Sequence, residues 1–340
     1  MAKVEPVWKA GEGGTAIPIT HDIVVIGASA GGVEALKELV RRLPADFPAS
    51  IFIVVHIPPS PSSMLPDILA RSGPLPAIHP EDGEKIRPGY IYVAPPDHHL
   101  TLEAGSIRVK RGPRENGYRP AIDPLFRTAA RAYGRRVVGA VLTGALDCGT
   151  VGLMTVKARG GVAIVQDPKE AFCSDMPRNA IAHVQVDHIL PLAEVPSLLV
   201  RLAREQIPEI EAKPMEEKSE RRSEITCPEC QGSMKESEMG GLLRFRCHVG
   251  HSFSMDGLAA AQTESLEAAL WASVRALEES EALTRRMADR LDRRISARLK
   301  EKADAMRHHA EVIRAILLGE NKVISSLQAP PRKRSKRQTV

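Results

Sequence analysis

Long apolar runs are the first thing this chain lacks. No stretch approaches the roughly 18 consecutive apolar residues of a membrane-spanning helix. The N-terminus also lacks the charged-then-apolar pattern of a secretory leader. Membrane insertion is therefore not expected, and a cytoplasmic location is. Cysteine is scarce: five residues in 340, odd in number and irregularly spread, which argues against a disulfide framework. Charge imbalance is missing from the body of the chain too. The net charge is +5, and Arg332, Lys333, Arg334, Lys336 and Arg337 account for all of it. A basic tail of this kind is usually solvated, and without a basic folded face no nucleic-acid partner is expected. The apolar content of 43% and charged content of 26% are ordinary for a globular protein.

What is present is organised around Ser29. Residues 23–26 are a short β-branched apolar run, the pattern of a buried strand, and from Val33 the apolar spacing turns helical through Leu36, Leu39 and Val40. Between them lies Gly27-Ala28-Ser29-Ala30-Gly31, a G-x-S-x-G. Its glycines permit a sharp strand-to-helix turn that lifts a serine hydroxyl above the sheet edge, with helix-start N–H groups aimed at whatever it attacks. A turn that merely packs, or one that holds a phosphate, stays open. A dinucleotide fingerprint fits worse, because it needs glycine where Ser29 stands.

Residues 22–205 alternate strand-like and helix-like segments. Strands are expected near 23–26, 51–55, 90–94, 137–142, 162–165 and 188–190, with helices at 31–42, 123–133, 149–159 and 195–205. That alternation predicts an α/β fold, a doubly wound and mainly parallel sheet. Residues 100–109 interrupt it as a β-hairpin turning at Ala104-Gly105. Ligands of such folds sit beyond the carboxyl ends of the strands, where Ser29 falls. His56 leaves the next strand at the same rim and, as a neutral imidazole, can take the Ser29 proton. A third rim segment, residues 141–150, brings a backbone N–H for oxyanion stabilisation and the carboxylate of Asp147. Asp147 is either the group that orients His56 or a helix N-cap.

Cys227-Pro-Glu-Cys230 is followed, sixteen residues later, by Cys247-His-Val-Gly-His251. Three thiolates and one imidazole (Cys227, Cys230, Cys247, His251) suit a closed, structural tetrahedral zinc site. His248, adjacent to Cys247, is poorly placed to close the same tetrahedron. A reduced C-x-x-C without metal is the alternative. Residues 258–318 contain neither glycine nor proline and carry a helical apolar stripe, predicting one long helix or an antiparallel pair and offering a homodimer seam. The expected organisation is a flexible leader (1–20), the α/β domain (21–205), a charged linker (206–224), a zinc-binding module (225–256), a helical region (257–320) and a basic disordered tail (321–340).

Residues 22–205 resemble the catalytic domain of the CheB chemotaxis methylesterases. The resemblance rests on Ile26-Gly-Ala-Ser-Ala-Gly-Gly32, Val55-His-Ile-Pro58, Arg119-Pro-Ala-Ile-Asp-Pro-Leu-Phe126, Leu142-Thr-Gly144 and Met176-Pro-Arg-Asn-Ala-Ile181. It implies a bacterial serine esterase that demethylates glutamate methyl esters on chemoreceptors, with no cofactor for catalysis. It further implies Ser29 as nucleophile, His56 as base and backbone amides near Ala30 and Ala145 as the oxyanion hole. The cysteine module and the helices after it resemble the C-terminal extension of some stand-alone CheB-like proteins. Two departures stand out. The residues before the esterase do not hold the receiver domain of the family's regulatory members. The family's triad aspartate precedes the glycine matching Gly149, and here that residue is Cys148, with Asp147 one position earlier. In a serine protease an amide in place of the triad carboxylate lowers the rate by about 10⁴. Substitution by Asp147, a slowed enzyme and a receptor-binding adaptor with impaired catalysis are the alternatives.

Overall fold

The structure is a computed structural model that describes residues 19–56, 63–207 and 220–319. It divides into two compact units, the first ending at Leu258 and the second beginning at Ala259. In the first, seven strands form one parallel sheet. Its spatial order is β3 (Ala77–Ile78), β4 (Ile91–Val93), β2 (Ser50–Val55), β1 (Ile23–Ala28), β7 (Val137–Val141), β8 (Val162–Gln166) and β9 (His188–Leu190). An antiparallel hairpin, β5 (His99–Glu103) and β6 (Ser106–Lys110), stands apart from it. The helices are α1 (Gly32–Arg41), α2 (Leu65–Ser72), α3 (Ile122–Tyr133), α4 (Thr150–Ala158), α5 (Asp175–His183) and α6 (Val195–Arg204).

The sheet is buried on both faces, so its central strands read as unbroken apolar runs. Val24, Ile26 and Ala28 of β1 point one way, with Ile51, Ile53 and Val55 of β2, toward Leu36 and Leu39 of α1 and Leu198 and Leu199 of α6. Ile23, Val25, Phe52 and Val54 point the other way, toward Leu125 and Phe126 of α3 and Leu153 and Val156 of α4. The chain steps from β1 outward to β2 and β4, then returns to lay β7 along the other side of β1. The strand order thus reverses at β1, and the crevice beyond its carboxyl end is where such folds bind ligands.

Within residues 21–205 two helices and one strand go beyond the sequence expectation: α2, α5 and the two-residue β3. Pro66 and Pro177 lie in the first turns of α2 and α5, where a missing N–H costs no intrahelical bond, so prolines that read as breakers are starters.

Four antiparallel strands follow in the order β10 (Arg221–Thr226), β11 (Ser233–Met239), β12 (Leu242–Cys247) and β13 (Ser252–Ser254). They belong to the same compact unit as the parallel sheet. The segment expected as a charged linker over 206–224 is cut at both ends. Gln206 bridges Thr20, Ile207 donates to Ile19, and Arg221 and Arg222 pair with Glu236 and Lys235 of β11. The leader over 1–18, the rest of the linker and the basic tail lie outside the described residues.

Two helices are the last described elements, α7 (Met255–Ala288) and α8 (Arg293–Leu317). They run antiparallel: Arg285 pairs with Asp304 at 2.7 Å, and Arg314 pairs with Glu278. Ala288, Ala303 and Ala310 are buried. Of the two alternatives, the helical pair is the one formed. Among the described residues no helix is long and apolar enough to cross a membrane.

One buried carboxylate ties the helical layer to the sheet rim. Asp123, in the first turn of α3, accepts the Gly149 N–H (2.9 Å) and the Gly152 N–H (2.6 Å), capping α4 from a neighbouring helix. Two charge-assisted bonds of this kind lead us to expect that Asp123→Ala lowers unfolding free energy by about 2–3 kcal/mol in urea titration, with Asp123→Asn losing less. Equal stability of Asp123→Ala and wild type would remove the cap from the account.

Candidate functional site

Ser29 is the first residue after β1, and His56 is the first after β2. The two strands pair in parallel with Ala28 opposite Val55, and the His56 N–H donates to Ala28 O at 3.3 Å. Hydroxyl and imidazole therefore leave neighbouring strands at the same level of the same rim. On the other side of β1 the Ser29 N–H donates to Thr143 O (2.9 Å), which fastens the serine turn to the turn after β7. Gly31 has a φ of 76° and opens α1 behind the serine. A Cβ on Gly144 would lie 2.8 Å from Ser29 Cβ and 2.1 Å from Met176 Sδ, so the serine packs where only glycine fits. Thr143 completes the knit: its Oγ1 donates to Ala30 O (2.8 Å) and accepts the Cys173 N–H (2.9 Å). Among the described residues no acceptor takes the Ala30 or Ala145 N–H.

His56 is held by its face rather than its edge. Its ring stacks on Tyr118 with centroids 3.7 Å apart and planes 5° from parallel. Nε2 is buried without a partner, and among the described residues neither ring nitrogen is hydrogen-bonded, to Ser29 Oγ or to any carboxylate. Burial disfavours the imidazolium and pulls the pKa from 6.5 to about 3. The ring is neutral across the physiological range.

The turn after β7 does not deliver an acid to that ring. Leu146 takes a left-handed φ of 62°, and Asp147 is directed to the β13 end, where its Oδ1 accepts the Ser254 Oγ–H at 2.7 Å. The expectation that Asp147 orients His56 therefore meets a carboxylate already engaged elsewhere. Burial raises the Asp147 pKa from 3.8 to about 6, against the lowering effect of the Ser254 hydroxyl and helped by Asp123 and Asp256. Cys148 is 2% exposed, and burial pushes its thiol well above the usual range, so it stays protonated. Its Sγ accepts from Asn116 Nδ2 at 3.4 Å.

Sequence reasoning missed Asp123, Asn116, Tyr118 and Phe172. Asp123 stands inside a motif already singled out, but its cap on α4 is a tertiary contact that no spacing rule reveals. Asn116-Gly117 is a turn dipeptide; nothing local says which ring follows it onto His56. Phe172 is 83% exposed and packs against Gly31, an apolar wall beside the serine turn.

The second cluster is built as expected. Cys227, Cys230, Cys247 and His251 offer ligand atoms that all lie within 4.8 Å of one another. His251 Nδ1 is 3.6 Å from both Cys227 Sγ and Cys247 Sγ, and Cys230 Sγ is 3.7 Å from Cys247 Sγ. A tetrahedron with Zn–S near 2.3 Å and Zn–N near 2.0 Å has edges of about 3.8 Å and about 3.5 Å. The fit identifies a closed structural zinc site. His248 packs against Gly232 instead, outside the set. The site lies at the ends of β10 and β12, and its sheet docks on the α/β layer. There Met239 joins the core, Arg244 reaches Glu115 (3.5 Å) and Arg114 reaches Glu229 (3.3 Å).

Two outcomes follow. A carboxylate with a raised folded pKa is penalised above that pKa and indifferent below the unfolded one. Asp147→Asn is therefore expected to raise the melting temperature at pH 8, by about 2 kcal/mol of stability, and to leave it unchanged near pH 3.5. A gain of equal size at both pH values would refute the assigned shift. For the metal, one equivalent of zinc per chain is expected, and chelation should expose Cys227, Cys230 and Cys247 to thiol reagents. Unchanged thiol reactivity after chelation would argue against the site.

Comparison with known proteins bears on this geometry. The model of the CheB methylesterase family matches residues 24–199. A putative protein-glutamate methylesterase/protein-glutamine glutaminase of Leptospira interrogans is 39% identical over 185 residues, which are 54% of this chain and 96% of that protein. The protein-glutamate methylesterase/protein-glutamine glutaminase 2 of Anaeromyxobacter dehalogenans is 39% identical over 183 residues, 54% of either chain. The crystal structure of the Thermotoga maritima CheB methylesterase catalytic domain is 36% identical with a TM-score of 0.52, covering 53% of this chain and 98% of that one. With a family match across more than half its length, ending before the zinc ligands, this chain belongs to the CheB methylesterase family.

Proposed function

We propose that the chain is a hydrolase of glutamyl methyl esters on a chemoreceptor-type protein, with Ser29 as nucleophile and His56 as general base. The observation that carries this reading is the register of β1 and β2, which brings a turn-borne hydroxyl and a neutral, buried imidazole to adjacent strand ends. Ser29 Oγ attacks the ester carbonyl carbon while His56 takes its proton. The tetrahedral oxyanion is stabilised by the Ala30 and Ala145 N–H groups, an interaction typically contributing about 3 kcal/mol per donor. The C–O bond to methanol then breaks as His56 returns the proton to the leaving oxygen. Water, deprotonated by the same imidazole, releases the glutamate carboxylate and frees Ser29. The relatives named as glutaminases act on an amide through a carbonyl of the same kind, and the site chemistry accommodates both.

Asp147 belongs to this proposal in a reduced role, as a carboxylate of the oxyanion turn held by Ser254 rather than as the partner of His56. A base whose protonated form has no carboxylate beside it is a weak one. This observation favours a second reading, an adaptor that keeps the fold and the receptor contact with little turnover. Methanol release from methylated receptor separates the two. Wild type should exceed Ser29→Ala by at least ~10³-fold under the hydrolase reading, with kcat/KM flat from pH 8 to pH 5 because His56 stays neutral throughout. Rates equal to Ser29→Ala would leave the adaptor. A gain on Cys148→Asp, with an acid limb rising toward pH 6 as the new carboxylate stabilises imidazolium, would show what the wild type forgoes.

The helical pair leaves Leu266, Leu283, Leu291 and Ile295 largely exposed, which supports pairing with a second copy of this chain. Sedimentation at micromolar concentration should give a dimer, and a monomer would end that idea.

A further inference from the structure

We propose that Asn116 is a positioning residue for His56, tying the zinc module to the face of the imidazole. The inference rests on the proposed hydrolase reading for its kinetic consequence and on geometry for the rest. Asn116 and Gly117 both have positive φ, 50° and 76°, and Glu115 and Tyr118 close the turn with reciprocal backbone bonds of 3.2 Å and 3.0 Å. A two-residue Asn-Gly turn of this kind is rigid and strongly preferred by these residue types. It projects Tyr118 onto His56.

The turn is anchored on two sides. On the α/β side Glu115 accepts a bidentate pair from Arg127, at 3.0 Å and 2.6 Å. On the module side Asn116 bonds through both its backbone and its side chain. Its N–H donates to Ser252 O (2.8 Å), and its Oδ1 accepts the Ser254 N–H (2.8 Å) and lies 3.3 Å from Ser254 Oγ, whose proton goes to Asp147 at 2.7 Å. Nδ2 donates to Cys148 Sγ (3.4 Å), the residue standing where the family's triad aspartate is expected. Ser252 follows the zinc ligand His251 directly, and Ser254 stands two residues further on. One side chain thus touches the strand after the metal, the former acid position and the turn that carries the ring under His56.

The physical need is plain. A triad acid orients imidazole through a hydrogen bond to its edge. Among the described residues His56 has none, so its ring plane is set by the stacked Tyr118, and Tyr118 is set by the Asn116 turn. Fixing a base to within about half an ångström is what such contacts supply.

The test uses the zinc-loaded full chain with ¹³C-labelled histidine rings. Asn116→Gly keeps the backbone and deletes the amide, and Asn116→Asp keeps the acceptor for the Ser254 N–H. For Asn116→Gly we expect the His56 ring protons to lose their upfield ring-current shift and kcat to fall ~10- to 100-fold at unchanged KM. Asn116→Asp should restore the shift. Should Asn116→Gly lose zinc, Ser254→Ala, outside the turn, probes the same tie and should displace the His56 signals by a smaller amount. Unmoved His56 signals in both Asn116→Gly and Ser254→Ala, or an Asp variant as displaced as the Gly one, would overturn the proposal. Wild-type turnover no greater than that of Ser29→Ala would instead sink the hydrolase reading, while the ring signals still judge the tie.

Discussion

The pairing of β1 with β2, one residue against its neighbour with no slip, is the constraint on which the rest depends. Parallel strands with both faces buried cannot shift register without turning their apolar sets to the wrong helices, so Ala28 opposite Val55 is enforced by the two core layers. The site inherits that accuracy. Ser29 and His56 reach the same rim without long loops, because each is the first residue past a strand whose position the core has already determined.

Most of this was legible in the sequence for one reason: parallel strands and the helices between them are local patterns. β1, β2, β7 and β8 appear as apolar runs, and α1, α3 and α6 as helical stripes. The cysteine spacing needed only ligand chemistry to be read. The four-stranded sheet around it was less visible, because Arg221–Thr226 and Ser233–Met239 are charged strands that pair with each other more than they bury. What the pattern could not reveal were the contacts made across it. Asp123 reaching Gly149, Ser254 reaching Asp147 and Tyr118 lying on His56 join positions 26, 107 and 62 residues apart. A one-residue offset in a tight turn, taken through a left-handed Leu146, redirects a carboxylate to a different partner.

The electrostatics of the rim follow from dryness more than from charge. His56 is kept neutral, Asp147 is made reluctant to ionise and Cys148 is kept as a thiol, and in each case burial is the leading cause. A buried rim with no carboxylate bonded to its imidazole among the described residues substitutes shape for attraction: a stacked aromatic face, a capped helix and a docked sheet. The zinc module is part of that shape, since its last strand supplies two of the three partners of Asn116, Ser252 and Ser254. Ser254 serves three groups at once. It donates to Asp147, presents its N–H to Asn116, and accepts the Gly257 N–H (3.0 Å) as the N-cap of α7.

The crowding at Gly144 reaches beyond this one molecule. Because the Ser29 methylene and the Met176 thioether leave no room for even a methyl group there, neither loop can drift by itself over evolutionary time. Any lineage that enlarges residue 144 must shorten residue 176 or re-aim Ser29 in compensation. Two stretches far apart in the gene are thereby bound into one unit of inheritance, and a pairwise substitution library would register the bond as epistasis.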